Sequence, residues 1–449
     1  MKSTPLVEIL EERKDFIYLG PNSGKGCLKC ERDSIAGAVS QRACVYCGAR
    51  VVLNPITDAF HIVHGPIGCA SYTWDIRGSL TSGPDIYRNS FSTDLREQDI
   101  VFGGEKKLAG AIDEIVEAYY PKVIFVYATC VVGVIGDDIE AVCKKAEKKH
   151  SIRVIPVKSS GFAGNKSMGY RAACEALIKL MGAGMPQKVQ GVNFLGDFNL
   201  AGEIWIISDY LKRIGVDIVA KITGDSRCEE ITKAPGASLN VVQCAGSMTY
   251  LAKMMEEKFG IPYIKVSFFG IEDTKLSLMR IADAIGDEAV RERARQLILT
   301  EELRVRSKLA HYRKRLEGKR AAIYVGGGFK AISLIKQFAD LGMNTVMVGT
   351  QTGKADEYET IKAMVDKDAV ILDDANPSEL EKFMRERGAD ILVGGVKERP
   401  LAYKLGVAFC DHNHERKHPL CGFEGAVNFA KEVDLTINSP VWKAIATDV

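Results

Sequence analysis

The sequence predicts an α/β protein made of three Rossmann-like domains, each built on a parallel sheet. Three observations predict it. From about residue 121 onward, apolar runs of strand length alternate with amphipathic stretches of helical period, the pattern of βαβ units. A chain of 449 residues is too long for one hydrophobic core and divides into about three units. Several apolar runs end in a cysteine or a glycine loop that opens the next helix, and open parallel sheets present ligands at such strand ends.

Composition narrows the function. The formal net charge of +2 gives no electrostatic reason to expect nucleic acid or a membrane surface as partner. No apolar run approaches the ~18 residues that span a bilayer. The first residues, with Glu8, Glu11 and Glu12 among basic side chains, do not read as a signal peptide, so a cytoplasmic protein is expected. In a reducing compartment the 12 cysteines point to metal binding or catalysis rather than disulfides.

In chain order, residues 1–26 show a short helical pattern and then a turn-rich stretch, Pro21 to Gly26. Cys27-x-x-Cys30 and Cys44-x-x-Cys47 follow, with the spacing of a zinc ribbon. Against that reading, Cys47 leads straight into the strand-like run Gly48–Leu53. Next, His61 to Arg77 carries an apolar run into Gly65-Pro66 and presents Cys69 between Gly68 and Ala70, with Arg77 two helical turns on. Small neighbours let a bulky group reach that sulfur. The choice lies between an anchor for an inorganic cluster and a buried cysteine in a helix-start turn.

Residues 1–159 form the expected first domain. Its strand Lys122–Ala128 stops at Thr129-Cys130, a helix follows from Gly136 to Lys149, and Arg153–Val157 is the next strand. Cys143 and Cys174 fall within helical patterns and read as core residues. The second domain, 160–319, has strands at Val192–Leu195, Asp217–Ile222, Leu239–Gln243 and Tyr263–Ser267, and ends in a charged helix over 292–319. Leu239–Gln243 delivers Cys244 to a helix start, as the earlier strand delivers Cys130. The third domain, 320–449, begins with Ala321–Val325 and the loop Gly326-Gly327-Gly328-Phe329-Lys330, which could cradle an anion but is no nucleotide fingerprint. Strands Thr345–Val348, Val370–Leu372 and Ile391–Val393 follow, the last leading into Lys397. His412, His414, His418 and Cys421 crowd one stretch near the end, either a metal site or a solvated loop.

Taken together, these residues resemble the nitrogenase component 1 superfamily over nearly the whole chain. The most specific matches are His64-Gly-Pro-Ile-Gly-Cys-Ala-x-x-x-Trp74-Asp-x-Arg-Gly78, Gly196-Asp-Phe-Asn-x-Ala-Gly-Glu203 and Glu256-Glu-Lys-Phe-Gly-Ile-Pro262. The resemblance implies that Cys44, Cys69 and Cys130 hold a four-iron cluster at a subunit interface. It implies too that Cys244 grips one end of a larger cofactor. Trp74-Asp75-x-Arg77-Gly78, Ser82-Gly83-Pro84-Asp85-x-Tyr87-Arg88 and Thr93-Asp94-Leu95 are similar to the cofactor-assembly scaffolds of that superfamily rather than to its catalytic α-subunits. Tyr170 and Cys421 stand where the catalytic branch has histidines, the second being the far ligand of the mature cofactor. Without it, a cluster bound at one end can leave again.

On that reading an eight-iron precursor of the iron-molybdenum cofactor is held while molybdenum and homocitrate are added. Arg77, Lys166, Lys330 and Lys397 would line its access path, where without the resemblance they read as surface charges. Three thiolates leave a four-iron cluster one short, so a NifN-like β-type subunit is expected to complete it in a heterotetramer. The implied precursor donor is the radical-SAM protein NifB, the nitrogenase iron protein assists, and the catalytic component is the acceptor. The alternatives are a catalytic α-type subunit or other nitrogenase-like reductase, and a zinc-ribbon module fused to α/β domains. Cys27, Cys30 and Cys47 are extra to the family pattern, and the sequence does not separate molybdenum from vanadium systems.

Overall fold

The computed structural model describes residues 9, 11–20, 28, 30, 43–73, 89–182, 184, 187–413 and 416–442. The chain forms two compact units: Ala43–Val266 with Arg280–Arg293, and Ser267–Met279 with Ala294–Val449 and the described part of Met1–Arg42. Three mainly parallel sheets are present, so the α/β class stands. Two of the three lie in one unit, where a single hydrophobic core runs from Phe125 and Tyr127 of one sheet to Leu195 and Val242 of the other. The compact units therefore cut the chain differently from boundaries at 159 and 319.

In the Ala43–Val266 unit, one sheet has the order Ser90–Ser92, Phe60–His64, Val123–Ala128, Arg153–Val157, and the other Ile218–Thr223, Val192–Asp197, Leu239–Val242, Tyr263–Lys265. All these pairings are parallel. Val123–Ala128 and Val192–Asp197 are buried along their whole length, which is why they read as unbroken apolar runs.

The strand expected over Gly48–Leu53 is instead a helix, Val45–Leu53, every residue of which is buried. The segment is a short, mainly apolar run, and such a run does not separate a buried strand from a buried helix. Its close packing against the helix Lys166–Met181 depends on two glycines. A Cβ on Gly48 would lie 2.2 Å from the Lys166 carbonyl oxygen, and one on Gly169 would lie 2.0 Å from that of Val45. The backbones touch because neither residue has a side chain.

The other unit holds a six-stranded sheet, ordered Ile17–Tyr18, Val370–Asp373, Asn344–Thr350, Arg320–Val325, Ile391–Gly394, Ala408–Asp411. Only the first of these runs antiparallel to its neighbour. It is anchored by Arg13, whose buried guanidinium binds Glu379 at 2.8 and 3.0 Å and the Asp373 carbonyl at 2.8 Å. The strand order reverses between Arg320–Val325 and Ile391–Gly394, the kind of point at which doubly wound sheets bind ligands. The charged helix begins earlier than expected and spans Glu288–Leu316. Among the described residues no helix is long and apolar enough to cross a membrane.

Candidate functional site

Cys69 and Cys130 are brought together by neighbouring parallel strands. Phe60–His64 pairs with Val123–Ala128, placing His64 opposite Ala128 at their C-terminal ends. Thr129 then ties the two exits: its N–H and its hydroxyl both donate to the His64 carbonyl oxygen, at 3.2 and 3.0 Å. Gly65 is required at this crossing, since a Cβ there would lie 2.1 Å from the Thr129 hydroxyl oxygen. Beneath, His64 donates to or accepts from Thr93 at 3.0 Å and meets Asp137 at 3.0 Å, linking the loop before Cys69 to the residues after the Cys130 helix. Cys130 is the first residue of the helix Cys130–Ile135, and Cys69 lies in the helix Ile67–Thr73.

Cys44 arrives from elsewhere in the same unit, as the N-cap of Val45–Leu53, bridged to Asn165. Gly161 sits among these thiols. Its N–H donates to the Cys130 sulfur at 3.2 Å, and an added Cβ would lie 2.8 Å from that sulfur and 3.6 Å from the Cys44 Cβ. The three thiols are half-buried and form no disulfide. Burial pushes the Cys69 thiol above its ordinary range, and its neighbours Cys130 and Cys44 push it further. Around them stand exposed apolar side chains, Ile67, Tyr72, Val134 and Phe162, the last 75% exposed. The sequence reading missed this collar. Its signal was large apolar residues close in sequence to Cys69 (Ile67 and Tyr72), to Cys130 (Val134) and to Gly161 (Phe162).

Cys47 is buried inside the helix that Cys44 caps. Cys27 lies outside the described residues, and among the described ones no three His, Cys, Asp or Glu side chains are gathered closely enough to hold a metal ion.

Cys244 caps the helix Ala245–Phe259 and is half-buried. Gly196, at φ +91°, lets it in: a Cβ there would lie 2.8 Å from the Cys244 Cβ. The core cysteines differ in kind. Burial pushes the Cys143 and Cys174 thiols up to about 12 and raises Cys228 and Cys410 as well.

In the six-stranded unit Cys421 caps the helix Gly422–Ile437 and is wholly buried. It bridges to Phe269, and the Gly422 N–H donates to the Phe268 carbonyl at 2.6 Å. His412 is buried edge-on to Phe269 and Phe429, with neither ring nitrogen hydrogen-bonded, while Lys330 donates to its backbone carbonyl at 3.0 Å. Lys330 and Arg416 lie 5.4 and 5.9 Å from the centre of the Phe269 ring. Of the histidines of this stretch, His412 is buried, His418 is exposed, and His414 lies outside the described residues. Glu398 is buried beside them, its carboxylate accepting from the Gly395 N–H at 2.8 Å, and burial pushes its carboxyl up to about 7.

Of the expected cationic residues, Lys166 is nearly buried, its ammonium 5.9 Å from the Tyr170 ring centre, and Lys397 is exposed. Arg77 and the motif residues from Trp74 to Arg88 lie outside the described residues. Lys166 belongs to one compact unit, Lys330 and Lys397 to the other.

Residues 44–438 match the family described as nitrogenase component 1 type oxidoreductase. The chain belongs to that family. The match begins at Cys44, the first of the three clustered thiols. Among relatives, the nitrogenase iron-molybdenum cofactor biosynthesis protein NifE of Clostridium pasteurianum is 69% identical over 97% of both chains. NifE of Methanosarcina barkeri is 54% identical over 98% of both. A solved family member, nitrogenase Cp1 at pH 5, superposes with a TM-score of 0.87 at 31% identity, covering 97% of this chain and 96% of its own.

Proposed function

We propose that this chain is the α-type half of a scaffold on which the iron-molybdenum cofactor of nitrogenase is assembled. The observation that carries the reading is the contrast in likeness: 69% identity, end to end, to a NifE protein against 31% to the solved nitrogenase. Cys421 agrees, a buried thiol where the family resemblance gives the catalytic branch a histidine.

Cys44, Cys69 and Cys130 are the residues that would hold a resident iron–sulfur cluster. The donor set fits: three half-buried thiols, a backbone N–H from Gly161 to a sulfur, and no side chain between Gly161 and that sulfur. When bound, the cluster supplies a store for electrons at the subunit surface. The fourth thiolate comes from a NifN-like β-type subunit, and Ile67, Tyr72, Val134 and Phe162 are the apolar surface that such a partner covers, giving a heterotetramer.

The eight-iron precursor is cargo. Cys244 binds it at one end, its sulfur half-buried at the start of a helix. Lys166, in the same compact unit as Cys244, counters the charge of the precursor and of homocitrate. NifB delivers the precursor, the nitrogenase iron protein supports insertion of molybdenum and homocitrate, and the catalytic component accepts the product.

The test is transfer. The complex with its β-type partner, supplied with precursor, molybdate, homocitrate, iron protein and ATP, is expected to activate a cofactor-deficient catalytic component while reducing no substrate itself. Turnover by the complex with its own reductase, without activation, would favour the reductase reading. Cys244→Ala is expected to lose precursor, and retention equal to wild type would remove the terminal-ligand assignment.

A further inference from the structure

Arg50 lies in the helix that Cys44 caps, six residues and about 9 Å along its axis. It is 1% exposed. One guanidinium nitrogen donates to the Ser90 hydroxyl, while Nε and Nη1 have no hydrogen-bond partner. The guanidinium carbon lies 5.5 Å from the Tyr127 ring centre, and Tyr127 in turn meets His61 at 2.9 Å through its hydroxyl. Burial, and then Arg50 itself, holds His61 far below its ordinary range, so that imidazole is neutral. Among the described residues no carboxylate pairs with Arg50.

A fully buried charge with no counter-charge is costly, and proteins ordinarily pair it. Toward the thiols, two side-chain contacts lead from Tyr127 to the helix that carries Cys69. Tyr46 packs edge-on to Tyr127 at 5.8 Å, shares a 2.6 Å hydrogen bond with Thr73, and Thr73 closes the helix that carries Cys69. We propose that Arg50 is the built-in counter-charge of the cluster held by Cys44, Cys69 and Cys130, and that it favours the reduced, more negative state of that cluster. The inference rests on the assignment of those thiols to a cluster. Across low-dielectric protein a unit charge roughly 10 Å away is little screened by salt and changes the reduced-to-oxidised ratio about tenfold.

The test is a redox titration, by electron paramagnetic resonance, of the intact complex with its β-type partner, comparing wild type, Arg50→Lys, Arg50→Met and Ser90→Asp. Arg50→Met removes the charge with an apolar side chain of similar length. Ser90→Asp leaves the arginine and neutralises it in place. Both are expected to lower the reduced-to-oxidised ratio at the wild-type midpoint about tenfold, which is about 59 mV for a one-electron couple. Arg50→Lys is expected to stay at the wild-type midpoint. An unchanged midpoint in Arg50→Met with full iron content would overturn the inference, and if that variant does not fold, an unchanged midpoint in Ser90→Asp overturns it equally. A signal that survives intact in Cys69→Ala would instead sink the cluster assignment beneath it.

Discussion

Cys130 and Cys421 both stand at the start of a helix, yet their surroundings are opposite. Cys130 is half-buried, faces two other thiols and Gly161, and is rimmed by exposed apolar side chains. Cys421 is sealed, with Phe269 bridged against it and cations Lys330 and Arg416 over that ring. The first arrangement leaves coordination to be completed from outside, as a subunit-shared cluster requires. The second is closed, polar at its edges and aromatic at its centre. Within one chain, a thiol that waits for a partner and a thiol that is part of a core differ less in local sequence than in what the fold stacks around them.

The sharpest break of this comparison is Cys69→Ala. It should remove the iron of one cluster, about four atoms per pair of subunits, and abolish its paramagnetic signal. Cys421→Ala should leave that signal unchanged. Equal loss in both would merge the two regions. A smaller effect falls on the scaffold of the thiol face. Gly169→Ala forces a side chain against the Val45 carbonyl, 2.0 Å away, and should cost about 3 kcal/mol in denaturant unfolding.

The closed region should answer to pH. Glu398, raised from 4.5 to about 7, holds its proton more tightly folded than unfolded. Its contribution is therefore complete below about pH 4.5 and is lost as pH rises toward 7. Between pH 5 and 8 this amounts to about 2.5 kcal/mol of the wild-type decline. Glu398→Gln, which still accepts from Gly395, should flatten that decline, measured by urea unfolding at both pH values. The mildest change is Phe162→Ser, a substitution of an exposed collar residue. It should move the stability of the chain by no more than about 0.5 kcal/mol while weakening association with the β-type subunit by size-exclusion or titration.

Much of this was legible in the chain. The strands at 123–128 and 239–242, buried along their length, announce themselves as apolar runs, and the cysteines at 130 and 244 follow them closely. Cys44 was placed by motif likeness, because its neighbours in space, Gly161 and Asn165, are more than a hundred residues away. The helix Val45–Leu53 was misread because glycine-on-glycine packing buries all its sides. Ala408–Asp411 escaped notice as four residues between a turn and the histidine stretch, and the unpaired charge of Arg50 is a property of packing alone.

The most direct test of the scaffold claim is anaerobic iron and molybdenum analysis, with electron paramagnetic resonance, of this chain co-purified with its β-type partner. The account predicts iron in excess of one four-iron cluster per pair of subunits, with little molybdenum and no substrate turnover. Stoichiometric molybdenum accompanied by catalytic turnover would contradict it and make the chain a reductase subunit.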